Sequence, residues 1–551
     1  MSSPFRAEDL VVVIPTRERW GVLPRALDAL DDQTASGFHT VVVADGEDQA
    51  AEAVAPRARV TVTGVPRGGP GPARNAGVEW ARREARPLAL LLGDDILATP
   101  DLVGRHLDAH NRRPEGQDAV LGLIRWHPDA ERGRIQRWLE WSGTQFDYAH
   151  MQAGPAGWSR FYSSNVSFKT ELFARAGGFD PAFRFLYEDL DLGWRMEQEG
   201  MRLWYEPDAV GLHLHRYDWP GLRRRFETAG RAEHVMTTRH PWFEPWFLPR
   251  CREALATRPP NPLWRRVVDW LPRGPLRDRG RAEANRWYHL QLAPFFLNAW
   301  ESERDFGELR AYLGDRFEEQ RLYLHDHAIE AELDAAPDEE TFYRTSEAYL
   351  YDLTAFAAWS TKVPYRAAVR RYVPAGSRLL DYGSGIGTDG LRLIGDGYRV
   401  DFADFDNPST RYLRWRLQQR GLEAEVFDVD GEVPGGYDLV YSFDVIEHVE
   451  DPFAFLAALE SRGRLVAVNF LEPDPGDPHM HRELPIPRLL DHAAERGLVR
   501  YRVHHGRSHF VVYGGQRGSR SRLERRAGPV LSRAWPGRAP CSAGGACWRS
   551  E

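Results

Sequence analysis

Two stretches of the chain alternate short apolar runs with helix-spaced segments, and a different texture separates them. In the first, VVVIPTRER (Val11–Arg19), VVVADG (Val41–Gly46) and LALLLGDDI (Leu88–Ile96) each open on consecutive apolar residues, with helix-spaced stretches such as Leu23–Leu30 and Ala73–Ala85 between them. This alternation predicts an α/β domain over residues 1–235. The pattern returns over 341–515, with strands predicted at Ser377–Asp381, Tyr398–Ala403, Ala424–Phe427, Tyr437–Ser442 and Arg464–Phe470. Val499–His504 and His509–Tyr513, joined by Gly506-Arg507-Ser508, read as a closing hairpin. In between, Trp242, Phe243, Trp246, Phe247, Trp264 and Trp270 are interleaved with Pro and Arg, and a helical stretch, Glu283–Leu333, follows. Residues 236–340 therefore read as a helical connector whose aromatics are buried between domains; they also suit a membrane surface. Past Gly515 the chain is Arg, Gly, Ser and Pro with few large apolar residues, so 516–551 reads as a disordered basic tail.

Length and composition narrow the classes. A chain of 551 residues exceeds one core, and a net charge of -8 gives no general attraction to nucleic acid. Lys169 and Lys362 are the only lysines; the arginine excess, with abundant Ala, Gly and Pro, has the stamp of GC-rich bacterial coding rather than of a binding device. Cys251, Cys541 and Cys547 make neither a metal pattern nor a disulfide framework, which fits a reducing cytoplasm. No signal-peptide core and no run of about 20 apolar residues is present, so a cytoplasmic protein without a transmembrane segment is expected.

Chemistry concentrates at the strand ends, where open α/β sheets bind ligands. Asp45 follows the second apolar run and Asp94-Asp95 the third. Such carboxylates can accept hydrogen bonds from a base or ribose, or hold a divalent ion that neutralises a departing nucleoside diphosphate. Oxygen ligands and phosphate favour Mg²⁺ or Mn²⁺. RGGPGPARNAG (Arg67–Gly77) is a Gly/Pro loop entering a helix, suited to phosphates, with Arg74 as a cation. Later come FYSSNVSFKTELFARAGGFDPAF, YEDLDLGWRMEQEG and PDAVGLHLH. This ordered set, about residues 10–216, resembles glycosyltransferase family 2, a family of inverting GT-A enzymes. The resemblance implies a nucleotide-sugar donor. Pro15, Thr16, Arg17 and Asp45 would line the nucleoside pocket, Asp94 would approach the ribose and Asp95 the metal. Asp189 would be the catalytic base, and His213 a late metal ligand with His215 as the neighbouring candidate. Gly93 stands where the family's metal motif often begins with an acid, and the Gln-x-x-Arg-Trp segment of processive members is absent, so non-processive transfer is expected. On chemistry alone, an acceptor hydroxyl needs a base, and a carboxylate beside Glu188 in a partly desolvated cleft can serve; Glu188, Asp189 and Asp191 also suit the start of a helix running to Gly200.

In the second stretch, DYGSGIG sets Gly383, Gly385 and Gly387 between a strand and a helix, so that backbone can pass close to a ligand. Asp404 and Asp406 end the next strand, Asp428 the third, and YDLVYSFDVIEHVEDP opens on the fourth. Together with the closing hairpin these resemble a class I S-adenosylmethionine-dependent methyltransferase over about 350–515. The resemblance implies that Asp381, Gly383, Gly385 and Gly387 surround the methionine part. Asp404 (or, second, Asp406) would hold the ribose and Asp428 the adenine, with Asp444 and the Glu447-His448 pair on the floor. A hydroxyl acceptor must also lose a proton, and His448, His479 and His481 are candidate bases. His479 and His481, in the loop after the fifth strand, also read as surface residues or a chance metal pair.

The expected protein is thus an α/β enzyme with an N-terminal GT-A Rossmann-like domain, a helical connector and a C-terminal methyltransferase Rossmann-like domain. It would transfer a sugar to a glycan, lipid-linked or small-molecule acceptor and methylate a related acceptor. Two alternatives are an active glycosyltransferase with a regulatory or degenerate S-adenosylmethionine module, and a methyltransferase with a non-catalytic glycan-binding domain. Intact Asp95, Asp189 and loop glycines argue against both.

Overall fold

A computed structural model describes residues 4–46, 54, 56–130, 133–323, 325–472 and 481–514. The expected tail 516–551 and His479 lie outside the described residues. The chain divides into two compact units, 1–303 and 304–551.

In the first unit the apolar runs become β1 (Leu10–Thr16), β2 (His39–Asp45) and β4 (Leu88–Leu92), with β3 (Val60–Val65), β5 (Ile96–Ala98), β6 (Asp118–Trp126), β7 (Gly154–Ala156), β8 (Asn165–Lys169) and β9 (Arg202–His213). Their order is β3-β2-β1-β4-β8-β6-β9-β5, with β7 attached to β9. β1 pairs in parallel with β2 and β4, whereas β8 runs antiparallel to β4 and β6. Every residue of β1 and β4 is buried, because helices or loops cover both faces. The pleat splits β1 between two cores: Val11 and Val13 pack on one face with Val41, Val43 and Leu91, while Leu10, Val12 and Ile14 pack on the other with Leu23, Leu27 and Leu90.

A third core in this unit gathers Trp138, Phe226, Phe247, Tyr288 and Phe296, with Phe243 and Trp246 against it. Most of the aromatic stretch expected as connector thus packs onto the first unit, although Trp242 and Trp270 stay exposed. From Arg304 onward the same stretch belongs to the second unit. Its anchor is Asp305, buried among Arg392, Arg416 and Arg420, with Leu309 and Leu313 packed on Leu350, Tyr351 and Tyr412. Burial would raise the Asp305 carboxyl, but the three guanidinium groups outweigh it and lower it to about 2.

The second unit's strands are β10 (Arg378–Tyr382), β11 (Arg399–Asp404), β12 (Val426–Asp428), β13 (Tyr437–Ser442), β14 (Gly463–Leu471), β15 (Leu498–His504) and β16 (Ser508–Gly514), in the order β12-β11-β10-β13-β14-β16-β15. The first five are parallel, and β16 runs antiparallel to β14 and β15. This is a Rossmann-like sheet closed by the expected hairpin. Among the described residues no helix is long and apolar enough to cross a membrane.

Candidate active sites

In the first unit, strand pairing assembles an acidic site from distant segments. β5 runs antiparallel to β9 and pairs Ile96 with His213, which sets His213 against the Asp95 side chain. Asp95 Oδ2 is the meeting point of His213 Nε2 at 3.3 Å, His215 Nδ1 at 3.7 Å and the Arg19 guanidinium. Trp126 stacks on the His213 ring, 5.1 Å between centroids. Burial would raise the Asp95 carboxyl, but His213, Arg19 and His215 together hold it well below the usual range. Next to it, burial and then the Asp95 charge lift Asp94 to about 6, although Thr16 Oγ1 donates to it at 2.9 Å and Arg19 lies at 3.1 Å. Burial also drives His215 down to about 4, so its ring is neutral at pH 7, as a metal ligand must be. Asp95, His213 and His215 offer one ligand atom each, all within 4.8 Å of one another. A divalent ion fits this donor set: one carboxylate and two imidazoles face a point that already needs positive charge. Arg19 supplies that charge in the structure.

Arg19 was not singled out by the sequence, which pointed to Arg17; Arg17 is exposed and Arg19 turns inward, two residues along the same loop. Pro15 and Thr16 are buried at the end of β1. Asp45 has a structural task, accepting from the Gly68 and Gly69 amides at 2.7 and 3.0 Å and so tying the glycine loop to β2. Gly69 has φ +92°, and a Cβ there would lie 2.0 Å from the Arg184 carbonyl oxygen. Arg74, expected as a phosphate cation, lies buried on the helix Pro70–Arg83 and is ion-paired with Glu188 at 2.9 Å.

Asp189 sits in the first turn of the helix Glu188–Gln198. Burial and then the Glu188 charge raise its carboxyl to about 7, against a smaller pull from Arg74. The turn before it holds two consecutive non-glycine residues in the left-handed region, Leu186 at φ 64° and Tyr187 at φ 65°. Tyr187 is pinned by its hydroxyl, which donates to Glu233 at 2.7 Å, and Glu233 also accepts from the Trp246, Phe247 and Leu248 amides. Neither the turn nor its anchor is visible in a single sequence. Asp191 belongs to the framework, bound to Arg195 and His240.

In the second unit, Gly383, Gly385 and Gly387 all have positive φ, 77°, 52° and 72°. An added Cβ would meet Val445, Leu353 and Leu413 at 2.7, 2.8 and 2.3 Å. The Gly385 amide donates to Asp404 at 2.7 Å, so Asp404 fixes this loop. The β11–β12 register puts Asp428 directly beside Asp404 at the strand ends. Asp406 turns away to Arg414 at 2.7 Å. Asp381 accepts from the Gly390 amide at 3.1 Å, and burial followed by the Asp389 charge raises it to about 8. Asp444, at φ 56°, is held by Asn469 and lies 3.4 Å from Lys362 Nζ. Lys362 also approaches Asp389 at 3.7 Å. Lys362, one of only two lysines in an arginine-rich chain, also donates to the Phe443 carbonyl oxygen at 3.2 Å. Glu447, His448 and His481 form a second group with ligand atoms within 4.8 Å of one another.

The family model described as glycosyl transferase family 2 matches residues 11–176. Validoxylamine A glucosyltransferase of Streptomyces hygroscopicus subsp. jinggangensis is 30% identical over 237 residues, 37% of this chain and 54% of that protein. The chain thus spans about half the length of the curated relatives it matches first. Among solved structures, a mannosyltransferase from Pyrobaculum calidifontis in complex with GDP-Man and Mn²⁺ is similar with a TM-score of 0.34 and 15% identity, over 65% of this chain and 88% of that one. A SAM dependent methyltransferase from Aquifex aeolicus is similar with a TM-score of 0.24 and 18% identity, over 27% of this chain and 88% of that one.

Proposed function

We propose that this chain, whose first unit carries a glycosyltransferase family 2 domain and whose second is a Rossmann-like domain of the methyltransferase type, is a bifunctional enzyme. The first unit would transfer a sugar from a nucleoside diphosphate donor with inversion, and the second would methylate a related acceptor with S-adenosylmethionine. The observation that carries the first half is the convergence of His213, His215 and Arg19 on Asp95 Oδ2. Asp95, His213 and His215 would hold Mn²⁺ or Mg²⁺, which when bound neutralises the diphosphate leaving group. Arg19 is half-exposed and free to turn toward the phosphates once the ion takes its place. Asp94 and Thr16 would face the nucleoside. Asp189 takes the acceptor hydroxyl proton as that oxygen attacks the anomeric carbon; a carboxyl at about 7 is matched to this work near neutral pH. The glucosyltransferase relative supports a glucosyl-type donor.

For the second half, the positive-φ turn of Gly383, Gly385 and Gly387 would bring backbone close to the methionine part, Asp404 and Asp428, side by side at the strand ends, would face ribose and adenine, and Asp381 and Asp444 would border the pocket. Methyl transfer is an in-line displacement, so alignment is most of the task. The acceptor hydroxyl would be placed beside the Glu447, His448 and His481 group.

The test is Asp95→Ala in the full chain. Donor turnover measured against Mn²⁺ should fall to background, while calorimetric binding of S-adenosylmethionine stays at the wild-type value. Undiminished, Mn²⁺-responsive turnover in the variant would remove Asp95 from the metal site.

A further inference from the structure

The second unit contains an arrangement that methyl-donor binding does not require. Glu447 lies in the short turn Ile446–His448 that follows β13. It is 1% exposed, and among the described residues neither carboxylate oxygen accepts a hydrogen bond from another residue. A buried carboxyl without donors is costly and calls for a partner. Two imidazoles supply the surroundings. His448 is adjacent in sequence, and its Nδ1 is fixed at 3.0 Å by the Tyr343 hydroxyl. His481 comes from beyond β14, and the Arg482 amide donates to the Glu447 carbonyl oxygen at 2.8 Å, which pins this segment beside the turn. The two rings stand 4.9 Å apart at 61°. Val445, two residues before Glu447, packs against Gly383, so the cluster adjoins the glycine loop.

We propose that Glu447, His448 and His481 bind a first-row divalent transition-metal ion, separate from the Asp95 site, that receives the hydroxyl oxygen of the methyl acceptor. One carboxylate and two histidines with open positions is a set used for Zn²⁺ and related ions. Ligand atoms about 2.1 Å from one ion lie roughly 3 Å apart, so the cluster needs only a small contraction. The role assigned to the ion rests on the methyltransferase reading above; the binding of the ion does not. With the acceptor oxygen held by the ion, its proton passes to solvent more readily. The oxygen then bonds to the methyl carbon, the carbon–sulfur bond breaks, and its electron pair stays on sulfur, leaving a neutral thioether. The histidines act as ligands here, not as bases.

The test uses the full chain carrying Asp95→Asn, which clears the first site. Titration followed by the paramagnetic signal of free Mn²⁺, with Zn²⁺ as competitor, should give one bound ion per chain. Adding Glu447→Gln or His481→Ala should weaken it by more than about tenfold, the range in which even the supporting partners of metal ligands act. Both variants should keep the far-UV circular dichroism spectrum of the Asp95→Asn protein, showing that the unit is folded. An ion bound equally tightly by either double variant, or no ion bound by Asp95→Asn, overturns the proposal. Independently of variants in the cluster, Co²⁺ added to Asp95→Asn should show the absorption of a nitrogen-ligated ion; the spectrum of hydrated Co²⁺ would also overturn it. Should Asp95→Asn protein fail to bind S-adenosylmethionine yet hold the ion, the methyl-donor reading falls and the metal site stands.

Discussion

Asp189 carries the sharpest prediction at the scale of single residues. Its carboxyl is raised by burial and by Glu188 to about 7, and it works as a base only when ionised. Sugar transfer should therefore fall about tenfold per unit of pH below 7 and level off above it. Arg74 opposes the shift, so Arg74→Met should move the inflection to higher pH, and Glu188→Gln, which removes the like charge, should move it lower. A residue that merely supported the fold would lower the rate at every pH and leave the inflection in place. Asp189→Asn should bind donor normally and lose more than about 10²-fold in turnover, because Asn keeps the shape but takes no proton. Near-wild-type transfer by that variant would put the base elsewhere.

At the scale of elements, loops held in costly backbone geometry carry both sites. The left-handed pair Leu186 and Tyr187 costs on the order of 1–3 kcal/mol per residue and persists because Glu233 holds the Tyr187 hydroxyl. Tyr187→Phe should destabilise the protein by about 1.5–3 kcal/mol, the worth of a hydrogen bond to a charged acceptor, and lower kcat more than it raises donor KM. Denaturant melts beside Michaelis curves would check this, and an unchanged midpoint would show the turn to be anchored elsewhere. In the glycine loop, Gly385→Val meets two obstacles, a φ of 52° and the Leu353 side chain 2.8 Å from the new Cβ. It should abolish S-adenosylmethionine binding. Asp404→Ala should be milder, about ten- to a hundred-fold in affinity, since it loses hydrogen bonds and leaves the pocket open. Wild-type affinity in Gly385→Val would make the loop purely structural.

For the whole molecule, the two units have separate sheets and separate cores. Their ligands should therefore act on separate transitions. A nucleotide sugar with Mn²⁺ at ~100 times its Kd should stabilise the first unit by about 2.7 kcal/mol, and S-adenosylmethionine the second by as much. In scanning calorimetry of Asp95→Ala the first shift should vanish and the second remain; Gly385→Val should do the reverse. A single transition that responds to both ligands in either variant would contradict this independence.

What the sequence determined by itself was set by local rules. Short β-branched and leucine runs such as Val11–Ile14 and Leu88–Leu92, each ending at a turn signal, read as buried strands, three alternate glycines after a strand read as a close turn, and the closing hairpin is written in its alternation and its Gly506 turn. The strand-end acids Asp94, Asp95, Asp404 and Asp428 were legible for the same reason. Tertiary structure decided what depends on pairing between distant segments. The β5–β9 register brings His213 to Asp95, Glu188 captures Arg74 across the core, Arg19 rather than Arg17 turns inward, and the Arg482 amide draws His481 to Glu447. The aromatic stretch reads alike wherever it packs, because an apolar face states that it must be buried and not against what. Only the completed cores assign its first part to one unit and Asp305, with its three arginines, to the other.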